Sequence, residues 1–187
     1  MKNGIAALIC GLLLAPALAA DTYRFDPNHT RPMFEVRHMD FSTQHGRFDR
    51  AAGTVTVDAA ARRGSIDFSV DTASIDMGTD EWNRHMKSDE FFDVAKYPVM
   101  AFKSDKLDFD GDRVVGADGQ FTLRGVTRPL HIAVEHFRCG PNPMNKVATC
   151  GGDVVARIKR SEFGMTKFLP MVGDEVAIRV PFEAAKQ

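Results

Sequence analysis

Few side chains in this sequence have the types and the spacing that chemistry requires. Its six His form no His-x-His or His-x-x-x-His pair and no cluster with Cys, so we expect no metal site. There is also no Gly-x-Ser-x-Gly nucleophile elbow and no acid–base pair on an apolar face. The sequence therefore favours a binding protein without a catalytic cofactor over an enzyme. A lipid-modifying enzyme that depends on His38 is the less favoured alternative.

Cys139 and Cys150 are the two cysteines that lie beyond the N-terminal twenty residues, and a Gly-Pro-Asn-Pro segment separates them. Their spacing fits neither a Cys-x-x-Cys redox motif nor a zinc knuckle. An even pair of cysteines in an exported chain is typical of a structural disulfide. We therefore predict a Cys139–Cys150 bridge.

Several polar side chains stand where they could meet the head group of a ligand. His38 and His136 fall on the apolar faces of predicted strands. Such a His is either a hydrogen-bonded core residue or a group that orients a quinone carbonyl or a phosphate. Arg84, Lys87 and Arg160 could meet an anionic head group, or they belong to a solvated charged surface.

The elements that must position these side chains are β-strands, because apolar and polar residues alternate along most of the chain. Turn signals such as Asp110-Gly111-Asp112 and residues 124–129 separate the strands. At least seven strands with one apolar face, joined by short turns, predict an up-and-down barrel. The side chains on the predicted apolar faces are Phe34, Val36, His38, Val55, Val57, Ile66, Phe68, Val70, Met100, Phe102, Phe121, Leu123, Leu130, Ile132, Val134, His136, Val154, Ala156, Ile158, Val176, Ile178, Val180 and Phe182.

One helix interrupts the strands. Thr79 is a suitable N-cap, and Asp80 and Glu81 favour the positive end of the helix dipole. Ser88-Asp89 ends the predicted helix, and Phe91-Phe92 follows it. Two adjacent Phe outside an alternating strand predict an apolar cover over the mouth of a cavity.

The N-terminal residues and the composition limit the class of protein. Residues 1–20 read as a secretory signal peptide, with Lys2, an apolar run over residues 5–14 and an Ala-rich cleavage site, which leaves one domain over 21–187. We therefore expect a periplasmic protein without stable membrane insertion. A net charge of −1 does not favour nucleic acid as a partner. Fourteen Phe and nine Met suit a core, and their excess would suit an apolar cavity.

Four groups of residues together span the predicted mature chain. The first group is Asp26-x-x-His29 with Phe34-x-Val36-x-His38, Gly46-x-Phe48 and Gly53-Thr54-Val55, and the second is His85-Met86-Lys87-Ser88-x-x-Phe91-Phe92-Asp93 with Tyr97-Pro98 and Phe102. The third is Gly119-x-Phe121-Thr122-Leu123-x-Gly125-Val126-Thr127-x-Pro129-Leu130, and the fourth is Arg160-Ser161-x-Phe163-Gly164-Met165. In these groups the chain resembles the YceI-like family, exported lipocalin-like proteins that bind polyisoprenoids. Two departures from the family pattern are Trp82-Asn83, where Arg-Asp is frequent, and Met86, where Leu is usual.

The resemblance implies an all-β fold, an extended antiparallel lipocalin-like up-and-down barrel with one short helix capping or flanking a long apolar cavity. That cavity would hold an isoprenoid lipid, either a quinone tail or a polyprenyl phosphate. A structural or stress-protective barrel filled by its own side chains is the alternative, and a homodimer through an exposed edge strand stays open. The residues that we expect to contact the ligand are Phe34, Val36, His38, Phe68, Met86, Phe91, Phe92, Phe102, Phe121, Ile132, Val134 and Ile178.

Overall fold

The computed structural model describes residues 20–187, and nearly all of the predicted signal peptide lies outside this range. The described chain consists mostly of antiparallel strands with one α-helix. Its elements are β1 (Asp21–Phe25), β2 (Met33–His38), β3 (Ser42–Phe48), β4 (Ala51–Asp58), β5 (Arg63–Asp71), β6 (Ile75–Asp76), α1 (Asp80–Lys87), β7 (Val99–Asp110), β8 (Arg113–Leu123), β9 (Val126–Pro141), β10 (Ala148–Lys159) and β11 (Val172–Lys186).

The strands close into a barrel because the last strand pairs with the first. The ring runs β1-β4-β5-β7-β8-β9-β10-β11, and β11 returns to β1. β11 also pairs with β2, which pairs with β3, and β3 pairs with β6. The segments β1/β2, β3/β4 and β5/β6 are therefore three bent strands, and the barrel has eight strand paths in up-and-down order. The predicted all-β barrel with one short helix is confirmed.

Tight turns of the predicted kind join neighbouring strands. Asp110 pairs with Arg113 around Gly111, whose φ is 62°. Leu123 pairs with Val126 across Arg124 and Gly125, and both of these turn residues have positive φ, 51° and 73°. Two residues with positive φ are typical of the type I′ hairpin turn, whose twist matches that of the strands.

Helix α1 lies between β6 and β7 and begins where the sequence predicts. The side chain of Thr79 accepts a hydrogen bond from the Trp82 backbone N–H at 3.3 Å. Asp80 and Glu81 stand in the first turn, and Ser88 caps the end. Because β5 ends and β7 begins at the same end of the barrel, α1 is held at that end, beside the β2–β3 turn and residues 160–171. No helix within residues 20–187 is long and apolar enough to cross a membrane.

The buried apolar residues form three clusters along the barrel. One lies near α1 and contains Phe34, Phe48, Phe91 and Phe92. A second contains Phe102, Leu107, Val114 and Ile132, and a third surrounds Tyr23, Cys150 and Ala184 at the opposite end. The predicted disulfide is confirmed: Cys139 and Cys150 face each other in the β9–β10 register and are bridged.

Candidate ligand-binding cavity

An apolar cavity of about 320 Å³ occupies the inside of the barrel. Its wall extends from Val57 and Val114, near the β4–β5 and β7–β8 turns, to His38 and Phe168 beside α1. The volume lies at the lower end of the range typical of small-molecule sites. Eleven of the fourteen Phe line this cavity, namely Phe25, Phe34, Phe48, Phe68, Phe91, Phe92, Phe102, Phe121, Phe137, Phe168 and Phe182.

The twelve residues expected to contact a ligand all lie on the cavity wall. They reach it from β2, β5, α1, the segment after α1, β7, β8, β9 and β11. The alternation that placed them holds because each strand of a barrel turns every second side chain inward. Their contact with a ligand stays a prediction. The twelve are Phe34, Val36, His38, Phe68, Met86, Phe91, Phe92, Phe102, Phe121, Ile132, Val134 and Ile178.

His136 was predicted on the apolar face of its strand, and this prediction is wrong. The β9–β10 register shifts between Gly151 and Asp153, so His136 and Phe137 together oppose Gly152. This bulge adds a residue to β9 and inverts its alternation. His136 adopts a φ of 55° and points outward toward Asp153, with 80% of its side chain exposed, whereas Phe137 takes the inward position.

Phe91 and Phe92, predicted as a cover over the mouth of the cavity, are buried in its wall at the α1 end. Their exposed fractions are 8% and 7%. The Phe92 ring meets that of Phe48 edge-on at 5.3 Å and lies 6.2 Å from that of Phe34. Arg124 donates a hydrogen bond to the Phe91 carbonyl, which fixes this segment to the β8–β9 turn.

The cavity meets solvent beside α1, at an opening that we call the mouth. Trp82 on α1 and Phe168 in the segment 164–171 line the cavity and are also 40% and 37% exposed. Glu90 joins the two sides, because its carboxylate accepts from Lys167 at 2.6 Å and pairs with His85 at 3.0 Å. The hydrogen bond from Lys167, followed by that from His85, lowers the pKa of Glu90.

Arg160 is a buried guanidinium at the end of β10, with 4% of its surface exposed. It donates to the backbone carbonyls of Met165, Lys167, Val172 and Gly173 at 2.7 to 2.9 Å. Burial lowers the pKa of Arg160, and the nearby Asp174 carboxylate opposes this effect.

Among the three basic residues considered for a head group, Arg160 alone lines the cavity. Arg84 is exposed on α1 and Lys87 is half-buried, and neither belongs to the cavity wall. Both therefore belong to the helix surface, as the alternative interpretation of the sequence had it.

The sequence interpretation missed the polar lining residue Gln44. It stands opposite Val36 in the β2–β3 register, and its amide donates to Ser42 Oγ at 2.7 Å. The alternation Ser42, Gln44, Gly46, Phe48 would have placed it inward. A strand with polar residues at its inward positions lacks the apolar alternation by which inward positions are recognised.

Within residues 20–187, one group of side chains has the types and proximity that a metal ion needs: Asp108, Asp118 and His131. It lies on the outside of the barrel. Lys106 Nζ already pairs with Asp118 at 2.5 Å, and His131 Nδ1 with the other oxygen of Asp118 at 2.9 Å. Lys106, followed by His131, lowers the pKa of Asp118. The group is a surface ion-pair network, away from the cavity.

The family model of the YceI-like domain matches residues 23–184, which is almost the whole described chain. The chain belongs to the YceI-like family. It is 30% identical to a UPF0312 protein of Ectopseudomonas mendocina over 192 residues, with both chains covered completely. It is 35% identical to a UPF0312 protein of Pseudomonas savastanoi over 149 residues, covering 76% of this chain and 77% of that one.

Solved structures share the barrel of this YceI-like protein. BcnA of Burkholderia cenocepacia matches with a TM-score of 0.69 and 25% identity, covering 85% of this chain and 98% of that chain. The YceI protein of Campylobacter jejuni gives a TM-score of 0.67 with 22% identity, over 81% and 90% of the two chains. A polyisoprenoid binding domain from Saccharophagus degradans gives 0.63 with 16% identity, over 88% and 98%. The last two matches show the fold alone.

Proposed function

We propose that this chain is a periplasmic binding protein that carries an isoprenoid lipid, with the lipid tail inside the barrel. The observation that carries the proposal is the cavity of about 320 Å³ with an almost wholly apolar wall. An isoprene unit has five carbons, so its burial is worth up to about 4 kcal/mol at roughly 0.8 kcal/mol per methylene-sized group. Such a tail cannot cross water unaided, and the barrel supplies the apolar surroundings.

The same cavity volume speaks against the alternative of a barrel filled by its own side chains. Two further observations support the proposal. A structural neighbour is described as a polyisoprenoid binding domain. The signal-like residues 1–20 fit export to the periplasm. The two candidate ligand classes are isoprenoid quinones and polyprenyl phosphates, and we propose binding without catalysis.

The test is to identify the lipid that co-purifies with the full-length chain expressed with its own N-terminal segment. Native mass spectrometry of the periplasmic protein, followed by organic extraction, should find one prenyl lipid per barrel. Ala156 lines the cavity, so Ala156→Phe should block the tail and reduce bound lipid at least about tenfold. Val155, the preceding residue of β10, faces the outside, and Val155→Phe is the matched control.

Circular dichroism must first show that both variants keep the barrel. If Ala156→Phe retains as much lipid as Val155→Phe, the tail does not lie inside the barrel. If the wild-type protein carries no prenyl compound and takes up none from a detergent solution of prenyl quinones and phosphates, the carrier proposal is wrong.

A further inference from the structure

The polar residues of the cavity wall lie mostly beside α1, and Tyr23 is the exception at the opposite end. Toward the β4–β5 and β7–β8 turns the wall is formed by side chains such as Val57, Leu107 and Val114. Beside α1, polar side chains enter it, and on the β2–β3 hairpin these are His38 and Gln44. His38 lies opposite Ser42, and Gln44 opposite Val36, so the two are diagonal neighbours on one face. Such neighbours have Cα atoms about 7 Å apart, which leaves room for a small group between them.

His38 differs from the other histidines of the chain. Within residues 20–187 it is the only one of the six that has no carboxylate partner, and it lines the cavity. Its ring is therefore free to bond to a ligand, either as a donor or as an acceptor. The five histidines that pair with a carboxylate are His29 with Asp26, His45 with Glu35, His85 with Glu90, His131 with Asp118 and His136 with Asp153.

Gln44 completes the pair from the neighbouring strand. Its amide nitrogen donates to Ser42 Oγ, which holds the side chain in place and leaves its carbonyl oxygen to accept. A ligand hydroxyl can donate to this oxygen, and a ligand carbonyl can accept from the His38 ring. Both side chains can form hydrogen bonds with an uncharged head group, and neither carries a fixed positive charge.

The one permanent positive charge on the cavity wall is not free for an anion. Among the lining residues of the described chain, Arg160 is the only Arg or Lys, and no Asp or Glu occurs there. Four backbone carbonyls already accept from its guanidinium, at 2.7 to 2.9 Å. A phosphate drawn into this wall would lose its hydration without gaining a counter-charge, which is costly.

We propose that His38 and Gln44 form a head-group subsite that selects a neutral, hydrogen-bonding head, as in a prenyl quinone or a prenyl alcohol, over a prenyl phosphate. This inference rests on the proposed function and specifies its ligand class. The lipid tail then lies toward the end of the barrel opposite α1, where the Cys139–Cys150 bridge is, and the head group remains at the mouth.

The test compares ligands that share one tail. Geranylgeraniol, geranylgeranyl phosphate and a benzoquinone that carries the same geranylgeranyl tail are titrated into the delipidated protein by isothermal calorimetry. The alcohol and the quinone should bind at least about tenfold more tightly than the phosphate, because the phosphate dianion has no partner at the wall. His38→Phe and Gln44→Leu should each lower the affinity for the alcohol about five- to tenfold, the usual effect of one lost hydrogen bond.

The matched control is His45→Phe, because His45 lies on β3 next to Gln44 but faces outward. It should leave all three affinities unchanged. Phosphate binding as tight as alcohol binding would overturn the subsite, as would wild-type affinity for the alcohol in both His38→Phe and Gln44→Leu. If the wild-type protein binds none of the three compounds, the carrier function itself fails, which is a separate outcome.

Discussion

At the scale of single residues, Arg160 shows how one buried cation can organise the mouth. Its guanidinium reaches two carbonyls within the segment 164–171, at Met165 and Lys167, and two just after it, at Val172 and Gly173. Planar Arg presents five N–H groups in a rigid fork, and here four of them replace the water that these carbonyls would otherwise bind. Arg160 is therefore a structural residue, although it lines the cavity.

The substitution Arg160→Met should lower the free energy of unfolding by about 3 kcal/mol, because it leaves several carbonyls without a donor. Arg160→Lys should not restore the loss, since an ammonium group cannot reproduce the planar fork. Urea unfolding followed by circular dichroism measures both. The control is Arg157→Met, which removes an exposed side chain paired with Glu175 and should cost less than about 1 kcal/mol. A similar loss for both variants would contradict a special role of Arg160.

At the scale of elements, α1 and the segment 164–171 meet across the mouth through the three residues His85, Glu90 and Lys167, which we call the latch. The His85 ring lies edge-on to Phe91 at 5.0 Å and to Phe168 at 6.1 Å. A ligand that enters between Trp82 and Phe168 must disrupt these ring contacts and the hydrogen bonds of Glu90. We therefore expect the latch to affect the rates of ligand entry and release more than the affinity.

The substitution Glu90→Gln should speed both entry and release by a few-fold and leave the dissociation constant nearly unchanged. Stopped-flow displacement of a dansyl-labelled prenyl alcohol by excess unlabelled alcohol measures the release rate. Glu175→Gln is the matched control, because it breaks an exposed ion pair with Arg157 on the outer barrel wall. Equal release rates in the two variants would show that the latch does not limit exchange.

The latch also predicts a pH dependence of exchange. The pKa of Glu90 is lowered in the folded protein, first by Lys167 and then by His85. A lowered carboxyl pKa means that the stabilisation is present above the unfolded value and is lost as the pH falls through the folded value. Release should therefore accelerate as the medium is acidified below the usual range of a Glu. In Glu90→Gln this acceleration should be absent.

The sequence predicted the elements well and the polar part of the site poorly, for physical reasons. Alternation identified the inward side chains of β5 and of most of β10 and β11 because the inward face of these strands is apolar. It failed at His136, since a bulge shifts register without any signal in the polarity pattern. It also missed Gln44, because a polar residue at an inward position is the exception to the pattern, although Gln44 shares one face of β3 with Gly46 and Phe48.

At the scale of the whole molecule, the two ends of the barrel differ in how they are held. The α1 end is held by hydrogen bonds and ion pairs around the mouth. The opposite end also has ion pairs, such as that of Lys186 with Asp21, and it carries in addition the Cys139–Cys150 bridge beside the buried Tyr23 and Ala184. The proposed site of ligand exchange and the disulfide are thereby separated by the length of the barrel.

Removal of the bridge by Cys139→Ala with Cys150→Ala should therefore cost stability and leave ligand affinity almost unchanged. The chain-entropy estimate for a loop of this size is about 3 kcal/mol. For a domain of this length that corresponds to a fall in Tm of about 6 to 12 °C. Differential scanning calorimetry measures the shift, and a reductant should reproduce it in the wild-type protein but not in the variant. A loss of affinity comparable to the loss of stability would contradict the separation of the two ends.

Trp82 gives the molecule a property that needs no engineering. It is the only Trp in the sequence, and it stands on the cavity wall with 40% of its surface exposed. Indole emission shifts to shorter wavelength when water around the ring is replaced by hydrocarbon, and a quinone close to the ring quenches it. The protein therefore carries an intrinsic optical reporter at a single known position. The wavelength of its emission distinguishes an empty barrel from a filled one, and the emission intensity distinguishes a bound quinone from a bound prenyl alcohol, in unlabelled samples.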